Sequence, residues 1–241
     1  MRIGTNVLSM NARQSLYENE KRMNVAMEHL ATGKKLNTAS DNPANIAIVT
    51  RMHARASGMC VAIRNNEDAI SILRTAKAAL QTVTNILQRM RDLAVQSANG
   101  TNSNANRDSL NKEFQSLTEQ ISYIGATTEF NDLSVFGDQN SPVSLDDIGH
   151  TVHISKAIPP SPTQHDIKIS TKQEARSAIR KIEEAFQSVS LHRADLGAMI
   201  NRLHFNIENL NSQSMALTDT ASRIEDADMA QEMSDFLKFK Y

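Results

Sequence analysis

The segment "AISILRTAKAALQTVTNILQRMRDLA", Ala69 to Ala94, decides how this chain is read. Ala69, Leu73, Ala76, Leu80, Val83, Leu87, Met90 and Ala94 recur at alternating steps of four and three. A helix turns once in about 3.6 residues, so that alternation keeps the apolar side chains on one seam and leaves the charges elsewhere. The pattern predicts a long helix from about Ala44 to Asn99, seamed for a partner helix and carrying small residues that allow close approach.

Toward the C-terminus, "SANGTNSNANRDS" interrupts the helix, and Leu110, Phe114, Leu117, Ile121 and Ile124 resume the same spacing. A second helix is therefore expected to fold back on the first. From Gly125 to about Ile169 the prolines at 142, 159, 160 and 162 exclude a long helix. The alternating stretches "TVHISKAI" and "HDIKIS" predict a hairpin or small ribbon there. Ser170 with Gln173 has the spacing of a capping box and opens the last long helix. Its seam runs through Ile182, Phe186, Val189, Arg193, Leu196, Ile200, Leu203, Ile207, Leu210, Ser214, Leu217, Ala221 and Ile224. At 1.5 Å per residue that run is on the order of 60 Å long. Beyond Ile224 the stripe shifts to Met229, Met233 and Phe236, and "SRIEDADMAQEMSDFLKFKY" reads as continuous helix leaving the rod.

Toward the N-terminus, Leu16, Met23, Met27 and Leu30 make a thin stripe on a helix from about Asn6 to Leu30. Gly33 suits its C-terminal cap, and Asn42 before Pro43 suits an N-cap with proline in the first helical position. The expected fold is all-α: an elongated rod of long antiparallel helices with coiled-coil-like seams and a small β-hairpin element. Leu73, Leu80, Leu87, Leu196, Leu203, Leu210 and Leu217 are its core seam.

The composition argues against several functions. Twenty-six basic and twenty-seven acidic residues give a net charge of -1, which supplies no field to hold nucleic acid. No apolar run reaches the roughly 18 residues that span a bilayer, and the N-terminus lacks the continuous apolar core of a cleaved signal. Cys60 is the one cysteine and is read as a small buried hydrophobe. His53, seven residues before it, is about 10 Å away by helical rise, too far to act as its base. His150, His153 and His165 lack metal-ligand spacing, "TGKKLNT" lacks the glycines of a phosphate loop, and Glu225, Asp226 and Asp228 on a continuous helix would fan around its axis. No catalytic, metal or cofactor site is expected, and the protein is read as no enzyme. The residues alone leave two classes, a self-assembling rod and a helical binding module.

The stretches "MRIGTNVLSMNARQSL", "ATGKKLNTASDNPANIAIVTRM", "LQRMRDLAVQSANGT", "LGAMINRL" and "TASRIEDADMAQEMSDF" resemble, in order and position, the terminal regions of bacterial flagellin. The resemblance covers nearly the whole chain apart from about Phe136 to Ile169. It implies a structural subunit of the extracellular flagellar filament, exported through the flagellar type III apparatus and polymerised for motility. Its partners would be other flagellin subunits in a helical homopolymer, the export apparatus, an export chaperone and a cap protein. It divides the chain into an N-terminal inner-tube helix and spoke linker (1–43), a rod-like outer-tube domain (44–224, with the β element at about 130–169) and an exit linker (225–241). Leu16, Met23, Met27 and Leu30 become the packing stripe of the inner-tube helix.

Arg89, Leu93 and Glu113 match the positions through which some flagellins are recognised by the innate receptor Toll-like receptor 5. A helix face presenting Arg89 and Leu93, with Glu113 on the neighbouring helix, is the physical form expected of that patch. Family members continue past "EMSDF" into an Ala, Leu and Gln-rich helix, where this sequence reads "LKFKY". The first helix is thus expected to lack a mate within these residues. The alternative reading is a truncated flagellin-like secreted protein, a binding or immune-stimulating factor that does not assemble alone. The hook-associated junction protein, which shares the terminal helices, is a third.

Overall fold

The computed structural model describes residues 7–136, 141–144, 151–154 and 167–240. Its order is α1 (Val7–Thr32), α2 (Pro43–Ala98), α3 (Asn104–Thr127), β1 (Glu129–Phe130), β2 (Leu133–Ser134), β3 (Ser141–Ser144), β4 (Thr151–Ile154), α4 (Lys172–Glu225) and α5 (Met229–Lys240). These long helices make two compact units, one of Val61–Leu210 and one of Met1–Cys60 with Asn211–Tyr241.

In the first of these units, the seam read from the sequence lies inside. Ala62, Asn66, Ala69, Leu73, Ala76, Leu80, Val83, Leu87, Met90, Ala94 and Ser97 are all buried on α2, so the alternation continues beyond both ends of the quoted stretch. On α4, Ala175, Ile182, Val189, Leu196, Leu203 and Leu210 are buried at seven-residue intervals, the period of coiled-coil packing between α2 and α4. Phe114 and Ile121 bring α3 into the core. Other expected seam positions on α4 differ: Phe186 is 41 % exposed, and Arg193, Ile200, Ile207, Ser214, Leu217 and Ile224 are half-buried. The side chain half a turn from each takes a different share of the interface, because a strict heptad drifts about the axis of a 3.6-residue helix.

Helix boundaries follow local chemistry. The Ser103 hydroxyl accepts from the Asn106 amide and caps α3. The capping box of α4 sits one residue later than the sequence suggests. Thr171 N–H donates to Glu174 Oε2 (3.0 Å) and Glu174 N–H donates to Thr171 Oγ1 (3.2 Å), so Thr171 and Glu174 replace Ser170 and Gln173.

The ribbon also differs from expectation. "TVHI" forms β4, but its antiparallel partner is β3, with Ser141 opposite Ile154 and Ser144 opposite Thr151. Residues 167–169 are extended and unpaired as strand because side chains take up their backbone groups. Ser97 Oγ donates to the Ile169 carbonyl (2.5 Å), Ile169 N–H donates to Asn111 Oδ1 (2.9 Å), and Gln115 Nε2 donates to the Ile167 carbonyl (2.8 Å). A second hairpin joins β1 to β2 through Asn131 and Asp132, both left-handed (φ 49° and 61°), as a two-residue turn with the twist of the strands requires.

Candidate functional site

The chain's chemistry of association is concentrated in the unit that joins the two ends of the sequence. α1 closes at Gly33, whose φ of +72° is the left-handed value favouring glycine, and whose N–H reaches the His29 carbonyl at 2.8 Å. Asp41 then folds the following loop by accepting from the Asn37 and Thr38 amides at 3.0 and 2.8 Å, and those bonds hold its carboxyl below the usual carboxylate range. Asn42 Oδ1 accepts from the Asn45 amide, and Pro43 begins α2.

Glu225, the last residue of α4, meets this loop. Lys35 N–H donates to the Glu225 carbonyl (2.8 Å), and Ala227 N–H donates to the Gly33 carbonyl (2.9 Å). Around this short antiparallel pairing, Glu225 Oε1 receives Lys34 Nζ at 2.5 Å and Oε2 faces His53 Nε2 at 2.9 Å. The Lys34 bond, followed by that of His53, lowers the Glu225 carboxyl from its ordinary value, and the same bond raises Lys34. Lys35 Nζ adds a bond to the Arg223 carbonyl.

The helix does not continue through "SRIEDADMAQ" as its uninterrupted polar and apolar residues suggest. It breaks at 226–228, and Asp228 Oδ1 caps α5 by accepting from the amides of Ala230 (3.0 Å) and Gln231 (3.3 Å). The acidic trio therefore divides its labour instead of fanning around one axis. Among the described residues, no three His, Cys, Asp or Glu side chains gather to hold a metal. The Asp228-x-x-Gln231 spacing is the signal that locates the break.

α5 packs along α1, so the N-terminal helix has a mate, contrary to the expectation that none exists within these residues. Ala26 is buried, His29 Nδ1 lies 2.9 Å from Glu232 Oε1, and the Arg22 guanidinium stands 5.8 Å from the centre of the Phe239 ring. Of the expected packing stripe, Met23 and Leu30 are half-buried, while Leu16 and Met27 remain exposed. The covered face is centred on Ala26 and His29, where the small Ala26 side chain lets α5 approach.

The other expected sites lie along α2, α3 and α4. Leu73, Leu80, Leu87, Leu196, Leu203 and Leu210 are buried. Arg89 and Glu113 meet across α2 and α3, with both side chains about half exposed. Leu93 does not join them at the surface; it is 1 % exposed because the inner face of α2 passes through Met90, Leu93 and Ala94. Cys60 is exposed, not buried, with its Sγ 4.0 Å from Ser214 Oγ. His150 and His165 lie outside the described residues.

Residues 3–141 match the bacterial flagellin N-terminal helical region, and residues 179–241 match the bacterial flagellin C-terminal helical region. The chain belongs to the bacterial flagellin family. It is 34 % identical to the flagellin of Listeria monocytogenes over 261 residues, covering 100 % of this chain and 91 % of that one. It is 40 % identical to the flagellin of Halalkalibacterium halodurans, covering 99 % of this chain and 90 % of that one. The crystal structure of Bacillus cereus flagellin superposes with a TM-score of 0.57 at 37 % identity, over 61 % of this chain and 88 % of that one.

As a flagellin, the chain is a structural protein of filament assembly and motility. It is exported by the flagellar type III route, assembles with further flagellin subunits and resides in the extracellular filament.

Proposed function

We propose that α1 and α5 together form the part of the flagellin subunit that lines the filament, and that residues 44–224 form its rod domain. The observation that carries this reading is the pairing of α5 with α1 while both keep apolar side chains uncovered. Leu16 and Tyr17 on α1 and Met229, Met233 and Leu237 on α5 are each at least 46 % exposed. A helix pair that leaves such residues in water has apolar area to bury against neighbouring subunits. The domain boundaries become 1–43 with 225–241 for the inner layer and its spokes, and 44–224 for the rod. An export chaperone would cover the same apolar faces before secretion, and the cap protein would receive them at the growing tip.

Negative-stain microscopy of the purified chain after seeding tests the reading. Long straight filaments are expected from the intact chain, and their loss from a chain carrying Met233→Glu and Leu237→Glu. Filaments formed equally well by that variant would sink it.

Arg89 and Glu113 favour a second role alongside the first, recognition of the free subunit by Toll-like receptor 5. Their exposed ion pair offers a charged, shaped feature of the kind that anchors an interface. Leu93 enters this reading from beneath, by holding α2 in the core. A receptor reporter assay on monomeric Arg89→Ala and Glu113→Ala decides it: wild-type signal from both variants would exclude the patch.

A further inference from the structure

We propose that Glu225 is a positioning residue for assembly: its carboxylate, by joining Lys34 to His53 at the end of α4, fixes the turn that lays α5 along α1.

The inference starts from how one carboxylate is shared. Oε1 holds Lys34, on the loop after α1, and Oε2 holds His53, on α2, at 2.5 and 2.9 Å. Three separate segments thus converge on one side chain, which is 14 % exposed while its two partners are about half exposed. Bonds of this charge-assisted kind are stronger than neutral ones and lose most when one partner is removed.

The position of Glu225 in the chain gives that convergence a consequence. The direction in which α5 leaves is set by Asp226, Ala227 and Asp228, the residues of the break. On one side of it, the Glu225 carbonyl is fixed by the Lys35 amide, and within it the Ala227 amide is fixed by the Gly33 carbonyl. The carboxylate fixes the same pair of segments from its other edge. At the end of the break Asp228 restarts the helix, and Glu232 Oε1 in the first turn of α5 lies 2.9 Å from His29 Nδ1. The titratable groups facing the joint are Lys34, His53 and Asp226, with Lys35 at its edge.

Two variants of the full chain test this, Glu225→Gln and the swap Lys34→Glu with Glu225→Lys. The swap keeps an ion pair between positions 34 and 225 with its signs exchanged. Amide hydrogen exchange of residues 230–240 and elongation from sheared filament seeds are the readouts. Glu225→Gln is expected to speed α5 exchange by about tenfold, the worth of one charge-assisted hydrogen bond. It is also expected to slow elongation while exchange in the α2 and α3 core stays at wild-type level. The swap is expected to recover both.

Unchanged α5 exchange in Glu225→Gln, or a swap that recovers neither readout, would overturn the proposal. So would loosened α5 with wild-type elongation, because α5 placement would then not govern addition. The elongation readout rests on the inner-layer reading. Wild-type chain that never adds to seeds would contradict that reading, and α5 exchange with its recovery would then decide for Glu225 alone.

Discussion

Arg89 holds Glu113 through two donors on a single oxygen: Nη2 at 2.7 Å and Nε at 3.0 Å from Oε1. The pair ties α2 to α3 from outside the core, with both side chains about half in water. Exposed pairs of this kind contribute roughly 0–1 kcal/mol because solvent screens the attraction and ordering two long side chains costs entropy. Arg89→Ala is therefore expected to lower stability by no more than about 1 kcal/mol in urea denaturation. A loss several times larger would mean that the pair anchors α3, and any change in receptor signalling could no longer be assigned to the surface.

Phe114 contrasts with it, since the ring is fully buried between α2 and α4 in the apolar core. Removing such a ring loses its transfer energy and leaves a cavity, together about 3–5 kcal/mol. Phe114→Ala is expected to shift the denaturation midpoint accordingly while sparing the α1 and α5 pair, whose contacts lie in the other compact unit. Matching loss of protection in residues 230–240 would contradict that separation.

How much of this was legible follows from which interactions repeat. The α2 seam could be read from Ala69 to Ala94 because heptad spacing is local information, and burial follows it without a miss. The Gly33 and Asn42–Pro43 signals likewise act within a few residues of themselves. The joint at Glu225 was not legible, because Lys34 and His53 lie 191 and 172 residues away and no spacing rule links them. The helix break was legible in principle from Asp228 and Gln231, but "SRIEDADMAQ" has no glycine or proline and helical propensity hid the cap. Leu93 was misplaced on the surface because one turn from Arg89 suggests a shared face, while the core there is wide enough to take Met90, Leu93 and Ala94 together.

The joint also predicts a pH response with a definite sign. Glu225 is lowered by Lys34 and then His53, so its contribution is present above the ordinary carboxylate range and is lost as pH falls through the lowered value. Lys34 is raised by Glu225, so its share is present below the ordinary lysine value and is lost as pH rises through the raised one. A plateau between an acid and an alkaline limb is expected in the amide chemical shifts of residues 230–240. Glu225→Gln should flatten the alkaline limb and shrink the acid limb, leaving what the unit's other carboxylates contribute, Asp41 with its lowered carboxyl and the α5 cap Asp228 among them. An acid limb of unchanged size in Glu225→Gln would place the titration elsewhere.

Two glycines with equally open surroundings should respond to alanine with opposite signs. A Cβ added at Gly33 or at Gly197 would meet nothing within 4 Å, so neither outcome turns on a clash. Gly33 has a φ of +72°, where a Cβ crowds the following carbonyl at a cost of about 1–2 kcal/mol. Gly33→Ala is therefore expected to destabilise the turn whose carbonyl receives the Ala227 amide, and to speed exchange at Ala227. Gly197 lies inside α4, where alanine restricts the unfolded chain and favours the helix by roughly 0.5–1 kcal/mol. Gly197→Ala should raise the denaturation midpoint and leave Ala227 exchange at its wild-type rate. If Gly33→Ala instead stabilises, the left-handed turn is not what fixes the α1 terminus, and the backbone pairing with 225–227 must be held by the Lys34 to Glu225 ion pair alone.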